Sequence, residues 1–211
     1  MKYNFIAIEG NIGAGKTTLS TLLAKQLNAR LVLEQFSDNP FLPEFYRNPE
    51  RVAFPLELSF LADRYGQLKQ DLVNLDLFNE LTIADYFIYK SLIFAGNNLK
   101  EDELLLYHRL FDIIASSLPK PDLLIYLYLD TIQLKKNILK RGRAYEVNIK
   151  PEYLEQIQNR YLSFLNALPH QKVLVIDMQG VDFITDQKKF NQIVNLLNTD
   201  FSKGITHVSL K

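Results

Sequence analysis

Short apolar runs alternate along this chain with longer stretches in which apolar residues recur every three or four positions. The runs predict strands at 3–8, 30–34, 80–85, 123–129 and 173–177. The longer stretches predict helices at 16–27, 51–74, 86–96, 101–117, 131–140, 151–167 and 187–198. A run such as Leu123-Leu124-Ile125-Tyr126-Leu127 is apolar throughout, as a strand covered on both faces should be. The alternation therefore predicts an α/β fold, a five-stranded parallel sheet with helices on both faces. Pro119 and Pro121 end the helix before the fourth strand, since proline lacks an N–H and restricts the residue before it. The polar tail after Phe201 is expected to be poorly ordered. No repeat or low-complexity linker divides the chain, so 1–211 is read as a single domain.

Composition narrows the picture. With 47% hydrophobic residues the chain can fill a core, which excludes a disordered protein. No apolar run is long enough to span a bilayer, and the first strand begins too early to leave a signal peptide. There is no cysteine, which excludes disulfide and thiol chemistry and fits a cytoplasmic location. Lys+Arg and Asp+Glu both number 24. This balance points to a small-molecule partner and away from nucleic acid.

The densest chemistry lies between the first strand and the first helix. Gly10, Gly15, Lys16 and Thr17 fill the pattern Gly-x-x-x-x-Gly-Lys-Thr in a strand–loop–helix setting, as a phosphate-binding P-loop requires. Glycines let the backbone N–H groups close on phosphate oxygens, and the helix adds its positive end. Lys16 would reach the β- and γ-phosphates of ATP, and the Thr17 hydroxyl would help hold Mg²⁺.

In an open parallel sheet ligands gather at the carboxyl ends of the strands. Glu34 follows the second strand and could take a proton from an attacking hydroxyl, or else be a solvated acid opening a loop. Asp85 follows the third strand and could bind Mg²⁺, cap the helix expected near Tyr86, or do both. Lys140-Arg141-Gly142-Arg143 reads as a short arginine-rich lid over polyphosphate, the plainer reading being a helix stop dressed with cations. Glu57 and Arg64 share one side of the long helix. Glu57 sits among apolar neighbours and should be paired or bound to a ligand, unless the two form a partly exposed surface pair.

Together these residues resemble the deoxyribonucleoside kinases of the deoxycytidine, deoxyguanosine and deoxyadenosine kinase family, from the P-loop to about Phe183. The opening Ile8-Glu9-Gly10-Asn11-Ile12-Gly13-Ala14-Gly15-Lys16 carries the family's Gly-Asn-Ile start. The resemblance implies a P-loop fold and transfer of phosphate from ATP, with Mg²⁺, to the 5′-hydroxyl of a deoxynucleoside. It implies that Gly10, Asn11, Ile12, Gly13, Ala14, Gly15, Lys16, Thr17 and Thr18 bind the donor. The segment Asp177-Met178-Gln179-Gly180-Val181-Asp182-Phe183 resembles the loop around the donor adenine, which adds Asp182 and Phe183. Glu34 takes the place of the general base. Tyr46 and, in the lid, Glu146 take those of the residues that hold the sugar 3′-hydroxyl. Arg141 and Arg143 offset charge on the moving phosphoryl group, Glu57 and Arg64 stand near the base, and Thr17 and Asp85 serve the metal. A homodimer is also implied, with the aromatic stretches Tyr86–Phe94 and Tyr107–Phe111 as either its surface or core.

The chain departs from the family pattern twice. After Asp85 the family has an arginine that helps hold the general base; here Tyr86 follows, and Arg64 and Lys90 are the candidates to replace it. Glu57 stands where the family has a base-reading glutamine. An ionised glutamate only accepts hydrogen bonds, which suits the N–H groups of guanine, whereas adenine and cytosine each present an acceptor nitrogen as well. The Asp-Tyr variant resembles a bacterial branch with deoxyadenosine activity, so a purine is expected, deoxyadenosine ahead of deoxyguanosine. Two rivals stay open. A thymidylate-type kinase would grip its acceptor's phosphate with Arg47, Arg51 and Arg64. A non-catalytic nucleotide switch shares the loop, although the guanine-reading Asn-Lys-x-Asp stretch is absent.

Overall fold

The computed structural model describes residues 2–35, 39–73 and 81–210. Positions 74 and 80, in the expected second helix and third strand, lie outside them. The chain opens with β1 (Phe5–Gly10), α1 (Lys16–Leu27) and β2 (Arg30–Val32), followed by a single turn, α2 (Leu42–Phe45), and the long α3 (Pro49–Val73). Then come β3 (Thr82–Ala84), α4 (Tyr89–Asn98), α5 (Glu101–Ala115) and β4 (Leu123–Tyr128). The last third holds α6 (Thr131–Arg141), α7 (Pro151–Asn166), β5 (Lys172–Asp177), α8 (Gln187–Leu196) and β6 (Gly204–Ser209).

All strand pairs are parallel, in the order β2-β3-β1-β4-β5-β6. β1 is buried along its whole length. Its alternate residues feed two cores. Ile6 and Ile8 meet Leu19 and Leu23 of α1, Leu134 and Ile138 of α6 and Ile193 of α8. Phe5 and Ala7 meet Leu61 of α3, Tyr107 of α5 and Ile157 and Tyr161 of α7. The period-two alternation of a strand thus glues helices to both sides of the sheet. A third cluster, with Phe45, Leu56 and Phe60, joins α2 to α3.

The sheet has six strands among the described residues, not the expected five. The tail after Phe201, expected to be disordered, supplies the sixth, and its full register with β5 runs from Lys172↔Gly204 to Asp177↔Ser209. Its polar positions are those of an edge strand. The isoleucine and valine between them, Ile205 and Val208, pack partly buried against opposite faces. The chain is held there by Tyr3, whose hydroxyl donates to the Thr199 carbonyl at 2.7 Å and accepts from the Phe201 N–H at 3.2 Å. Other boundaries move by a few residues. β2 stops at Val32 and α4 starts only at Tyr89, after Ile88, so Asp85 caps no helix. No helix among the described residues is long and apolar enough to cross a membrane.

The strand order sets out the site. Next to the P-loop after β1 lies the end of β3, carrying Asp85, and beyond it the end of β2, leading to Glu34. On the other side β4 leads to Asp130, whose carboxylate caps α6 by accepting from the Gln133 N–H at 2.7 Å. Deleting residues 203–211 strips β6 from β5. Losing three half-buried aliphatic side chains should cost about 3 kcal/mol, seen as a melting temperature lower by roughly 10 °C. An unchanged melting temperature would show that the tail contributes no strand in solution.

Candidate active site

The P-loop runs from the buried β1 into α1. Gly13 has φ +84°, and a Cβ there would stand 2.7 Å from the Leu134 carbonyl oxygen of α6. Gly15, at φ +87°, is the N-cap of α1. Both positions use a backbone region that other L residues reach only with strain. Lys16 Nζ donates to the carbonyls of Gly10 (2.8 Å) and Asn11 (2.9 Å). Burial, together with the charge of Lys90, pulls the Lys16 amine down to about 8, against the pull of Glu9, Glu34 and Asp85. Asn11 is buried, and its side chain works inside the protein: Nδ2 donates to the Leu154 carbonyl at 2.7 Å and Oδ1 accepts from the Ile12 N–H. It ties the loop to α7.

Asp85 couples the loop to its neighbour strand. Its Oδ2 accepts from Thr17 Oγ1 at 2.5 Å and its Oδ1 from the Glu34 N–H at 2.7 Å. Two hard oxygen ligands thus stand together beside the P-loop. This donor set fits Mg²⁺, which is usually held by one or two protein oxygens plus substrate phosphates. Among the described residues no group of three or more His, Cys, Asp or Glu forms a fuller cage.

Glu34 is buried between two cations. Lys90 Nζ lies 2.5 Å from Oε2 and Arg64 Nε 2.8 Å from Oε1. Arg64 is itself fixed, donating from Nη1 to Ser91 Oγ at 2.9 Å, with its guanidinium over the Phe60 ring. Burial pushes the Glu34 carboxyl up, but Lys90 and Arg64 together outweigh it and hold the group at about 2. Both candidates for the missing arginine therefore act on Glu34, one on each oxygen.

Glu57 lies two turns before Arg64 on the same face of α3, in a different environment. It is 1% exposed. Its Oε1 accepts from Asn98 Nδ2 at 2.7 Å, while Oε2 has no hydrogen-bond partner among the described residues. Burial raises its carboxyl to about 7, against the opposing pull of Arg64, Asn98 and Lys90. At the lid, Gly142 ends α6 in the left-handed region, and both Arg141 and Arg143 bind the buried Glu146 carboxylate. Tyr46 faces this corner, its ring stacked on Tyr145 at 6.2 Å. Burial, with Tyr153 and Glu146 nearby, pushes its phenol well above the ordinary range.

Two cavities gather these residues. One is lined by Glu34, Tyr46, Glu57, Arg64, Asp85 and Glu146, together with Ile12, Lys90, Asn98 and Tyr153. The other is lined by residues 13–18 of the loop and by Asp182 and Phe183. Lys16, Thr17, Arg141 and Arg143 line both. Gly10 and Asn11 line neither, and the Asp182 carboxylate is used locally on Thr185 and the Ile184 N–H.

Sequence reasoning did not single out three partners. Asn98 is 41 positions from Glu57, with no local signal. Tyr153, on α7, enters the first cavity from another layer. Glu9 was read only as part of the loop motif, yet it is 2% exposed and accepts from the Phe87 N–H (2.8 Å) and Tyr161 hydroxyl (2.9 Å). A carboxylate inside an apolar strand was the signal that could have found it.

Comparison with known proteins identifies the family. The chain belongs to the deoxynucleoside kinase family, whose model matches residues 6–202. It is 38% identical over 193 residues to the deoxyguanosine kinase of Bacillus subtilis (strain 168), covering 90% of this chain and 93% of that one. It is 30% identical over 202 residues to the deoxyadenosine/deoxycytidine kinase of the same organism, covering 92% and 91%. The structure of deoxyadenosine kinase from M. mycoides with bound dATP matches with a TM-score of 0.80 at 28% identity, over 92% of this chain and 100% of that one. The chain is accordingly a phosphotransferase that acts on nucleosides. Of the three arginines a thymidylate-type kinase would need, Arg64 is already engaged by Glu34 and Ser91.

The two carboxylates pull stability in opposite directions with pH. Glu34 titrates lower in the fold than its ordinary 4.5, so it stabilises the fold above that value and the gain is lost as pH falls toward 2. Glu57 titrates higher, so the fold holds its proton more tightly; stability falls as pH rises from 4.5 to about 7 and stays reduced above. Glu57→Gln removes that cost. It should stabilise the protein by about 2–3 kcal/mol at pH 8 and by much less at pH 5, measured by urea denaturation. An equal gain at both pH values would contradict the assignment.

Proposed function

We propose that this chain transfers the γ-phosphoryl group of ATP to the 5′-hydroxyl of a purine deoxynucleoside, giving a deoxynucleoside monophosphate and ADP. The observation that carries the reading is the junction of the two cavities at Lys16, Thr17, Arg141 and Arg143. A donor on one side and an acceptor on the other would meet at these four groups, three of them cations suited to a moving phosphoryl. In this reading the ATP phosphates lie on Gly13 to Thr18 and the adenine beside Phe183. The deoxynucleoside enters the other cavity, with its 3′-hydroxyl at Tyr46 and Glu146 and its base edge at Glu57.

Glu34 aligns the 5′-hydroxyl. As the new O–P bond forms, the bond from the γ-phosphorus to the bridging oxygen of ADP breaks, and the hydroxyl proton passes to Glu34 and on to solvent. A carboxylate held at about 2 is a weak base. That is adequate for a loose transition state, in which positioning and charge stabilisation do most of the work. Lys16, Arg141 and Arg143 offset the charge on the equatorial oxygens. To do so the two arginines must share or release Glu146, which links closure of the lid to arrival of the 3′-hydroxyl. Mg²⁺, held by Thr17 and Asp85, would supply neutralisation of the β- and γ-phosphates.

The same proposal includes a cytoplasmic location, where its donor ATP is found, and a homodimer. Tyr86, Phe87, Tyr107 and Phe111 are core residues, so they are no dimer surface, whereas Leu105, Leu106 and Ile113 of α5 are exposed and supply an apolar face. The testing experiment is a panel of the four deoxynucleosides with MgATP, following monophosphate formation. Both purines should be substrates and thymidine the poorest. Glu34→Gln should lower turnover by ~10²–10⁴-fold. Preference for thymidine, or near-normal turnover in the variant, would remove the corresponding part of the reading.

A further inference from the structure

Glu57 lines the first cavity and differs from Glu34 and Glu9 in having a buried oxygen with no partner among the described residues. Glu34 has a cation on each oxygen, and Glu9 a neutral donor on each. Glu57 has Asn98 on Oε1 alone, and its Oε2 is buried without a partner among the described residues. Buried and unpartnered, Oε2 is an atom that a ligand must complete.

What completes it depends on whether Glu57 carries a proton. An ionised carboxylate accepts on both oxygens, which matches the N1–H and N2–H₂ donors of guanine. A neutral carboxyl donates from Oε2 and accepts on Oε1, which retains a lone pair beside Asn98. That pattern matches the N1 acceptor and N6–H₂ donor of adenine, and likewise N3 and N4–H₂ of cytosine. In its neutral form Glu57 is a hydrogen-bonding equivalent of glutamine. We propose that Glu57 selects the base by its protonation state, ionised for deoxyguanosine and neutral for deoxyadenosine, so that one site serves both purines and pH sets their order. This rests on the reading above that the base edge lies at Glu57.

Glu57 changes charge near neutrality, and Lys16, lowered to about 8 elsewhere in the same cavity, is not among the groups that act on it. Arg64 on its own helix and Lys90 on α4 face it, and both are ion-paired with Glu34. Tyr107 on α5 and Tyr153 on α7 also face it. Burial raises both phenols, so they stay neutral. Glu57 itself, raised to about 7 by burial, divides between its two forms at physiological pH. A site that hydrogen-bonds one pattern rejects the other strongly, because a mismatch leaves buried polar groups unpaired.

The test is competition between deoxyguanosine and deoxyadenosine in one tube with MgATP, from about pH 6 to about pH 8. The ratio of their kcat/KM values cancels every effect of pH on Lys16, Glu34, the lid and ATP. Full selection makes the ratio follow the ionised-to-neutral ratio of Glu57, a rise of ~100-fold over two pH units, and partial selection at least ~10-fold. Glu57→Gln should give a flat ratio that favours deoxyadenosine. A flat ratio in the native protein, or the same rise in Glu57→Gln, overturns the proposal while leaving the kinase reading intact. Failure to phosphorylate either purine at any pH overturns both. Calorimetry at pH 7 in two buffers of different ionisation enthalpy gives an independent reading without turnover. Deoxyadenosine should bind with proton uptake and deoxyguanosine with proton release, and equal proton exchange for the two overturns the proposal.

Discussion

The site depends on one buried ion cluster, the Glu34 carboxylate gripped by Lys90 on one oxygen and Arg64 on the other. Removing charges from water is costly, and only close pairing with further hydrogen bonds offsets it. Here those bonds exist: Arg64 also binds Ser91, and Asp85 binds the Glu34 backbone N–H. The cluster fastens the segment after β2 to α3 and α4, while Asp85 carries the constraint onward to Thr17 of the P-loop. The Glu34 segment and the Thr17 hydroxyl of the P-loop are thus held by a single side chain. In the proposed reaction this rigid arrangement lets a weakly basic carboxylate serve by position.

Three buried carboxylates illustrate how environment assigns roles to one chemical group. Glu34, paired with two cations, stays ionised throughout the physiological range. Glu9, inside β1, is satisfied by an N–H and a phenol, and burial raises its carboxyl; it ties β1 to the segment after β3 and to α7. Glu57, with one neutral donor, is left near its balance point. Counting the partners of each oxygen separates the proposed base, a structural acid and the proposed reader of the substrate.

Much of this was legible in the sequence because it is local. The P-loop pattern, the apolar runs of β1 and β4 and the glycine stop of α6 each arise from neighbouring residues, and each stands near its expected position. Acids placed after strands could be gathered at one edge by the rules of parallel sheets alone. The relations that decide the chemistry are long-range. Lys90 reaches Glu34 across 56 positions and Asn98 reaches Glu57 across 41, and no periodicity encodes either. β6 was missed for another reason: an edge strand needs only a few apolar residues, so its composition is that of a tail.

The central claim is that Lys90 and Arg64 jointly keep Glu34 ionised. A carbon-detected NMR titration of the Glu34 side-chain carboxyl, in the native protein and in Lys90→Met, tests it most directly. The account predicts no titration of Glu34 above about pH 4 in the native protein, and in the variant a midpoint raised by burial into the measurable range. An ordinary carboxylate midpoint in the native protein, or the same midpoint in both, would contradict it.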